Sequence, residues 1–217
     1  WQKTTRESKK YQLRGEILSF IPVEKNVEVM LVTITNTGRM AQTVTPTAAI
    51  PLYGRSADNI RDHRHVTSLL HRIETTDIGV LVTPTLSFDE RGHQVNHMTY
   101  YCVGWSGNGE KPVDFYPTAE DFVGEGGNFE RPYAIVKNAE GVKAGTRIEG
   151  LEAVGGLHFS EVTLEPEEEC SYLIFTGITE DIQEIRNLSK TYTTREMVLE
   201  ELEKTKAYWQ EKVNVAY

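Results

Sequence analysis

The chain has 217 residues, and its 23 Lys and Arg residues against 32 Asp and Glu residues give a formal net charge of −9. This acidic balance argues against nucleic acid as a partner. Non-specific binding to phosphates needs clustered Lys and Arg residues, and no segment of the sequence contains such a cluster. Hydrophobic residues make up 39% of the chain. No apolar run approaches the roughly 20 residues that span a bilayer, so neither a membrane protein nor a disordered chain is expected.

From Tyr11 to about Thr176 the sequence has mostly the composition of β-strands. Residues 27–35 are apolar on both faces, with Met30 and Val32 on one face and Val29 and Leu31 on the other. Strands that are buried on both sides favour stacked sheets over a single sheet with one solvated face. Segments rich in Val, Ile, Thr and Tyr, separated by turn residues, predict strands at 16–23, 27–35, 42–50, 79–87, 95–103, 157–164 and 171–175.

Two stretches interrupt this pattern. Pro46 and Pro51 lie in or beside the segment 42–50, which predicts an edge strand or a strand broken by a bulge. The glycine-rich residues 104–156 have little periodicity, and they predict extended loops between strands, of the kind that meet ligands or partners.

After Gly177 the pattern becomes helical. Thr193 and Glu196 have the spacing of a capping box, with Thr193 as N-cap, so a helix is expected to follow. Val198, Leu202, Trp209 and Val213 then fall on one stripe, which predicts that Trp209 is buried against the sheets. Either this helix packs on the β-sandwich or it is a linker into another domain, so we divide the chain into a β-sandwich at 1–180 and a helical linker at 181–217.

The densest cluster of functional side chains lies in segment 53–73. Arg guanidinium groups, together with Asp and Asn side chains, are suited to recognising hydroxyls and oxyanions. The segment is therefore predicted to bind substrate or to contact another domain. The alternative is a polar loop in which Asp58 and Asp62 pair with the arginines. No metal is expected, because the carboxylate and histidine that zinc needs do not follow His63-Arg64-His65. The candidate site residues are Arg55, Asp58, Asn59, Arg61, His63, Arg64 and His65.

Other reactive groups give weaker signals. Cys102 lies in a strand-like run and is interpreted as a core thiol, since no GxSxG or phosphate-binding glycine motif occurs. Cys102 and Cys170 do not form a CxxC pair, which favours a reducing compartment and a cytoplasmic protein. Trp105, near several other aromatic residues, is a candidate sugar platform, and core packing is its alternative role.

An ordered series of short stretches resembles one known family. The series is similar to the N-terminal β-sandwich of cellobiose phosphorylase-like enzymes in glycoside hydrolase family ninety-four, formerly glycosyltransferase family thirty-six. Segment 53–73 resembles the 1,2-β-oligoglucan phosphorylase branch in particular. One departure is Ala119-Glu120-Asp121, where shorter members often carry Arg, so no contact of that Arg is carried over. The stretches are 20–29 (FIPVEKNVEV), 33–36 (TITN), 120–124 (EDFVG), 131–134 (RPYA), 155–166 (GGLHFSEVTLEP), 175–177 (FTG) and 207–209 (AYW).

The resemblance implies a mainly β supersandwich of stacked antiparallel sheets, related to the galactose mutarotase fold, with a C-terminal linker helix. In the parent enzyme such a domain is attached to an α/α toroid, which would follow Tyr217. The enzymes of this family cleave a β-glucosidic bond with inorganic phosphate and invert the anomeric centre, and their general acid lies in the toroid. No residue here matches that acid.

The resemblance therefore implies a non-catalytic, carbohydrate-associated domain that shapes the active site and the subunit interface and has no activity of its own. It implies no cofactor beyond phosphate as co-substrate. The implied partners are a β-glucan oligosaccharide, the toroid and a second copy in a homodimer.

Two rival functions stay open. A freestanding carbohydrate-binding module would bind glycans as an isolated chain, whereas a purely structural domain would not. A mutarotase-like epimerase would need a histidine and a glutamate as acid–base pair, for which His65, His97 or His158 are candidates. Only fold analogy supports the epimerase.

Overall fold

The computed structural model describes residues 1–54, 64–89 and 92–213. Within these ranges the chain forms four layers, in the order helices, large sheet, small sheet, helices. The strands are β1 (Gln2–Ser8), β2 (Leu13–Phe20), β3 (Val27–Asn36), β4 (Gln42–Val44), β5 (Thr47–Leu52), β6 (His71–Thr75), β7 (Gly79–Pro84), β8 (Leu86–Asp89), β9 (Gly92–Val95), β10 (Thr99–Ser106), β11 (Asp114–Thr118), β12 (Arg147–Glu149), β13 (Ala153–His158), β14 (Val162–Leu164) and β15 (Glu169–Thr179). The helices are α1 (Arg64–Ser68), α2 (Ala119–Val123), α3 (Tyr133–Lys137), α4 (Ile182–Thr191) and α5 (Arg195–Lys212).

The large sheet has eight strands in the order β1-β2-β3-β15-β10-β7-β6-β12, and each neighbouring pair is antiparallel. Its centre is apolar on both faces, as predicted from residues 27–35. Val29 and Leu31 of β3 are buried in the layer shared with the C-terminal helices, whereas Met30 and Val32 pack in the layer between the two sheets. The mainly β fold of stacked antiparallel sheets is therefore confirmed.

The small sheet has the order β11-β13-β5, so β5 is an edge strand. The two prolines act as expected: Pro51 lies in this edge strand, and Pro46 separates β4 from β5, which divides the predicted strand 42–50. The two sheets approach each other closely at Gly155, where an added Cβ would lie 2.2 Å from the Cβ of Cys102. A side chain at this position would therefore push the sheets apart.

Helices α4 and α5 cover the outer face of the large sheet. Ile185, Leu188 and Tyr192 pack with Val198 and Leu202 on the apolar side chains of the central strands. The side chain of Asp181 caps α4 by accepting a hydrogen bond from the Gln183 amide at 2.8 Å. Among the described residues, no helix is both long enough and apolar enough to cross a membrane.

Two predictions about α5 are wrong. The N-cap is Thr194 rather than Thr193, and no side chain closes a capping hydrogen bond. Trp209 is 50% exposed rather than buried. The helix spans 18 residues, or about 27 Å, and its buried residues end at Thr205. The periodicity identified the correct face, but the neighbouring sheet does not extend to the last turns of the helix.

Residues 104–156 also differ from the prediction of extended loops. They contain two short helices and four strands or parts of strands. Strands β11 and β13 from this region are largely buried and form most of the small sheet. These elements have three to six residues each, apart from the end of β10, and that length is too short to establish a hydrophobic period.

Candidate functional site

Helices α2 and α3 cover the outer face of the small sheet, and we call the surface they form the α2–α3 face. Phe122 and Ala134 anchor the helices on Tyr116 and Val154 of the sheet. The Tyr116 hydroxyl donates to the carbonyl of Ala139 at 2.6 Å, which ties the segment after α3 to the sheet. This face contains the stretches 120–124 and 131–134 on which the family resemblance partly rests.

An open cavity of about 360 Å³ lies on the α2–α3 face. Its walls carry four carboxylates, those of Glu120, Asp121, Glu125 and Glu140, and the half-exposed ring of Tyr133. The Thr118 hydroxyl donates to Asp121 Oδ2 at 2.6 Å, which fixes that carboxylate. Carboxylate oxygens accept hydrogen bonds and repel anions, so the cavity suits a hydroxyl-rich or cationic group better than phosphate.

A second, smaller cleft of about 30 Å³ adjoins this face. Tyr53, Thr67 and His71 line one side of it, and Ala119 and Phe129 line the other. The first three residues belong to segment 53–73, whereas the last two belong to the α2–α3 region. The fold thus brings the described ends of the predicted functional segment against the α2–α3 face.

His71 is the buried titratable group of this cleft. Its Nδ1 lies 3.1 Å from the carbonyl of Leu151, so in the neutral ring Nδ1–H donates and Nε2 carries the lone pair. Burial lowers the pKa of His71, and the carbonyl of Leu151 offsets this effect in part. The Gly54 backbone also offsets the effect of burial in part. Among the described residues, Nε2 is buried and has no hydrogen-bond partner. Burial therefore favours the neutral form of the His71 ring.

The remaining predicted residues of segment 53–73 cannot be placed in this cleft. Arg55, Asp58, Asn59, Arg61 and His63 lie outside the described residues. Arg64 and His65 begin helix α1, and their side chains are likewise outside the description. The contacts predicted for these seven residues stay predictions.

Trp105 is a core residue, which corrects the interpretation of an exposed sugar platform. Only 3% of its surface is exposed. Its ring stacks on Phe175 at a centroid distance of 4.8 Å, and its Nε1–H donates to the carbonyl of Tyr192 at 2.8 Å. The side chain points from β10 towards the layer of C-terminal helices. There α4 and its C-cap residue Tyr192 cover the ring.

His158, a candidate from the sequence, pairs with a carboxylate that the sequence did not single out. His158 Nδ1 lies 2.6 Å from Asp114 Oδ1, across the paired ends of β13 and β11. Lys143 Nζ lies 3.9 Å from the other carboxylate oxygen. The partner of His158 is thus an aspartate rather than the glutamate considered for an epimerase. The two residues lie 44 positions apart, and only the strand register brings them together.

The other candidate acid–base and metal-binding residues form no comparable pair or cluster in the described ranges. His97 is exposed between β9 and β10. In the described ranges, no three His, Cys, Asp or Glu side chains lie close enough together to hold a metal ion. The side chains of His63 and His65 lie outside the described part of the chain.

Residues 2–195 match the family model described as "Glycosyl hydrolase 94, supersandwich domain". The chain belongs to this family. A search of curated proteins finds no match. Among solved structures, a polysaccharide lyase aligns with 85% of this chain at 10% identity and a TM-score of 0.44. The chain spans 22% of that protein's length.

Proposed function

We propose that this glycosyl hydrolase 94 supersandwich domain is the non-catalytic N-terminal part of an inverting β-glucan phosphorylase, of the 1,2-β-oligoglucan type. In this role the domain shapes the active site of a following α/α toroid and takes part in a subunit interface with a second copy. The parent enzyme would use a β-glucan oligosaccharide and inorganic phosphate, without another cofactor, in the cytoplasm. The observation that carries this proposal is the family match over residues 2–195.

The geometry of the α2–α3 face suggests how such a domain would contribute. The face combines an open cavity with four carboxylates and the cleft around His71. Phosphate needs cations, and the described walls of these two cavities contain no Lys or Arg. Segment 53–73 contains Arg55, Arg61 and Arg64, which are the natural phosphate-facing groups in this proposal. Inversion by phosphate needs a single proton donor from the toroid, because phosphate is itself the nucleophile.

The test is a kinetic comparison in the protein that joins this chain to its toroid. Arg55→Ala and Arg64→Ala should each lower phosphorolysis by about tenfold or more, equivalent to about 1.4 kcal/mol. Arg39→Ala is the matched control, because Arg39 is exposed on the turn after β3 and lies outside segment 53–73. The melting temperature of the chain should be nearly unchanged in all three variants.

The competing role for these arginines is a local brace with Asp58 and Asp62. In that case the substitutions would lower the melting temperature while the enzyme that remains folded keeps normal kinetics. That outcome would remove segment 53–73 from the function proposed here.

A further inference from the structure

The two sheets differ in width, and the large sheet extends past the last strand of the small one. Strand β11 packs over β6 and β7, β13 over β7 and β10, and β5 over β10. Strands β3, β2 and β1 lie beyond β5, on the side of its free edge. The inner face of β2 is open there, because Ile17 is 42% exposed and a Cβ added at Gly15 would meet only the carbonyl of Arg6, at 4.0 Å.

An apolar pocket of about 280 Å³ lies where the small sheet ends. One wall is the inner face of β2, β3 and β15, and the other wall is β5 with Pro46 before it. No charged side chain lines the pocket. Met30, Val32 and Ile34 of β3 are only partly buried, although they belong to the layer between the two sheets. The apolar layer of the sandwich therefore continues into the pocket beyond β5.

The free edge of β5 carries backbone groups that the small sheet does not use. The Phe159 amide donates to the carbonyl of Pro46 at 3.0 Å, which shows the direction of hydrogen bonding at the start of β5. Because this direction alternates along a strand, Thr47, Ala49 and Pro51 point their backbone groups away from β13. Proline has no amide hydrogen to donate, so two amides and three carbonyls face outward. Among the described residues, no other strand pairs with this edge.

One cation lies on the uncovered inner face. The pairing of β1 with β2 places Arg6 opposite Gly15, on the same face as Ile17. The Arg6 side chain is exposed and has no ion pair or hydrogen bond with the described residues. On the other face of β1, by contrast, Lys3 pairs with Glu16 at 2.7 Å. The inner face of β1 and β2 therefore carries one positive charge and no negative charge.

We propose that this site binds an extended segment of another polypeptide, which adds a fourth strand to the small sheet beside β5. The backbone of the segment would form hydrogen bonds with Thr47 and Ala49. Every second side chain would point into the pocket, so the segment needs apolar residues at alternate positions. A carboxylate at the next inward position would pair with Arg6. The added strand would cover the inner face of β2 and β3 as β5 covers that of β10.

Other occupants fit the site less well. A second copy cannot supply its own β5, because a two-fold axis between the paired strands would keep both large sheets on one side of the joined small sheets. The strands that extend past β5 in one copy would then collide with the large sheet of the other. A single strand needs only the usual spacing of about 4.8 Å beside β5. A small apolar molecule would fill the pocket but would leave the backbone of Thr47 and Ala49 and the charge of Arg6 unused.

The test is fluorescence anisotropy of the 217-residue chain with the labelled, amidated peptide Ser-Val-Thr-Val-Thr-Asp, whose valines and aspartate share one side of a strand. Saturable binding is expected. N-methylation of the two threonine amides, which would face β5, should raise the Kd by at least about tenfold. Changing the peptide's aspartate to asparagine should weaken binding to the wild-type chain but not to Arg6→Ala. Hydrogen exchange followed by NMR should show that the peptide slows exchange at Thr47 and Ala49.

Variants of the chain test the pocket itself. Ala48→Phe places a ring in the pocket and should raise the Kd by at least about tenfold, whereas Ala41→Phe is the matched control, because Ala41 is exposed and outside the pocket. Ile17→Ser changes a half-exposed wall residue and should weaken binding by about threefold or more, which keeps the test available if Ala48→Phe does not fold. Near-ultraviolet circular dichroism checks that each variant is folded.

Several results would overturn the proposal. They are no binding of the peptide, equal binding of the N-methylated peptide, equal binding by folded Ala48→Phe and Ile17→Ser chains, and equal weakening by Ala41→Phe. Self-association in sedimentation velocity that Ala48→Phe abolishes would assign the site to a second copy instead. If the protein that joins this chain to the proposed toroid no longer binds the peptide, the strand comes from that protein itself rather than from another chain. The proposal rests on the sandwich alone, so its failure leaves the kinetic test of Arg55→Ala unaffected.

Discussion

Replacing Trp105 with alanine should be among the most destabilising single changes in this chain. The indole is almost fully buried between the large sheet and the C-terminal helices, and it stacks on Phe175. Removing a large buried aromatic side chain costs about 3 to 5 kcal/mol, from lost transfer free energy and from the cavity left behind. Native chains are stable by only about 5 to 15 kcal/mol, so the loss is a large part of the total.

Trp105→Phe separates packing from hydrogen bonding at the same position. Phenylalanine keeps a ring against Phe175 but cannot donate to the carbonyl of Tyr192, so a smaller cost of about 1 to 3 kcal/mol is expected. Urea denaturation followed by circular dichroism measures both costs, provided that the slope m stays constant. For a chain of this size, the alanine variant should melt about 6 to 20 °C lower.

Trp209→Ala is the matched comparison in the same assay, because half of Trp209 is exposed at the end of α5. Its midpoint should lie much closer to wild type than that of Trp105→Ala. If Trp105→Ala unfolds no earlier than Trp209→Ala, the assignment of Trp105 to the core is contradicted.

Three further predictions follow from buried groups. Burial lowers the pKa of His71, so below about pH 6.5 the unfolded chain takes up a proton that the folded chain resists, and stability should fall as the pH decreases; His71→Gln should flatten this decline in unfolding free energy. Burial raises the pKa of the Cys102 thiol to about 12, so the native chain should protect it from alkylation at mildly alkaline pH, and mass spectrometry should find it modified only after denaturation. Gly155→Ala should cost about 1 to 3 kcal/mol by forcing its Cβ onto Cys102, whereas Gly15→Ala, with its nearest neighbour at 4.0 Å, should leave the urea midpoint nearly unchanged.

The central strands were predictable because their side chains have consistent physical roles over many residues. The side chains of β3 point alternately into two buried layers, so apolar residues occur at both odd and even positions of its sequence. Pro46 and Pro51 were equally informative, since a residue without an amide hydrogen cannot sit in the middle of a sheet. Both features depend on residues that are close together in the sequence, so they can be read without knowing the fold.

The site was less predictable because its residues meet only through the fold. Asp114 and His158 are brought together by one register position between β11 and β13. Tyr53 and Phe129 line the same cleft although they lie 76 positions apart along the chain. Hydrophobic periodicity also shows which face of a helix is apolar, but it does not show how far the neighbouring sheet extends along that helix. For this reason Val198 and Leu202 were correctly predicted to be buried and Trp209 was not.

The proposed non-catalytic role of this domain is tested most directly by phosphorolysis with the chain alone and with the chain joined to the proposed α/α toroid. Each protein would be incubated with β-1,2-linked gluco-oligosaccharides and inorganic phosphate, and glucose 1-phosphate would be measured against a heat-treated control. We expect release only by the protein that contains the toroid, because the proposed function assigns the proton donor for the departing sugar to that domain. Release of glucose 1-phosphate by the isolated 217-residue chain above the control would contradict the proposed role.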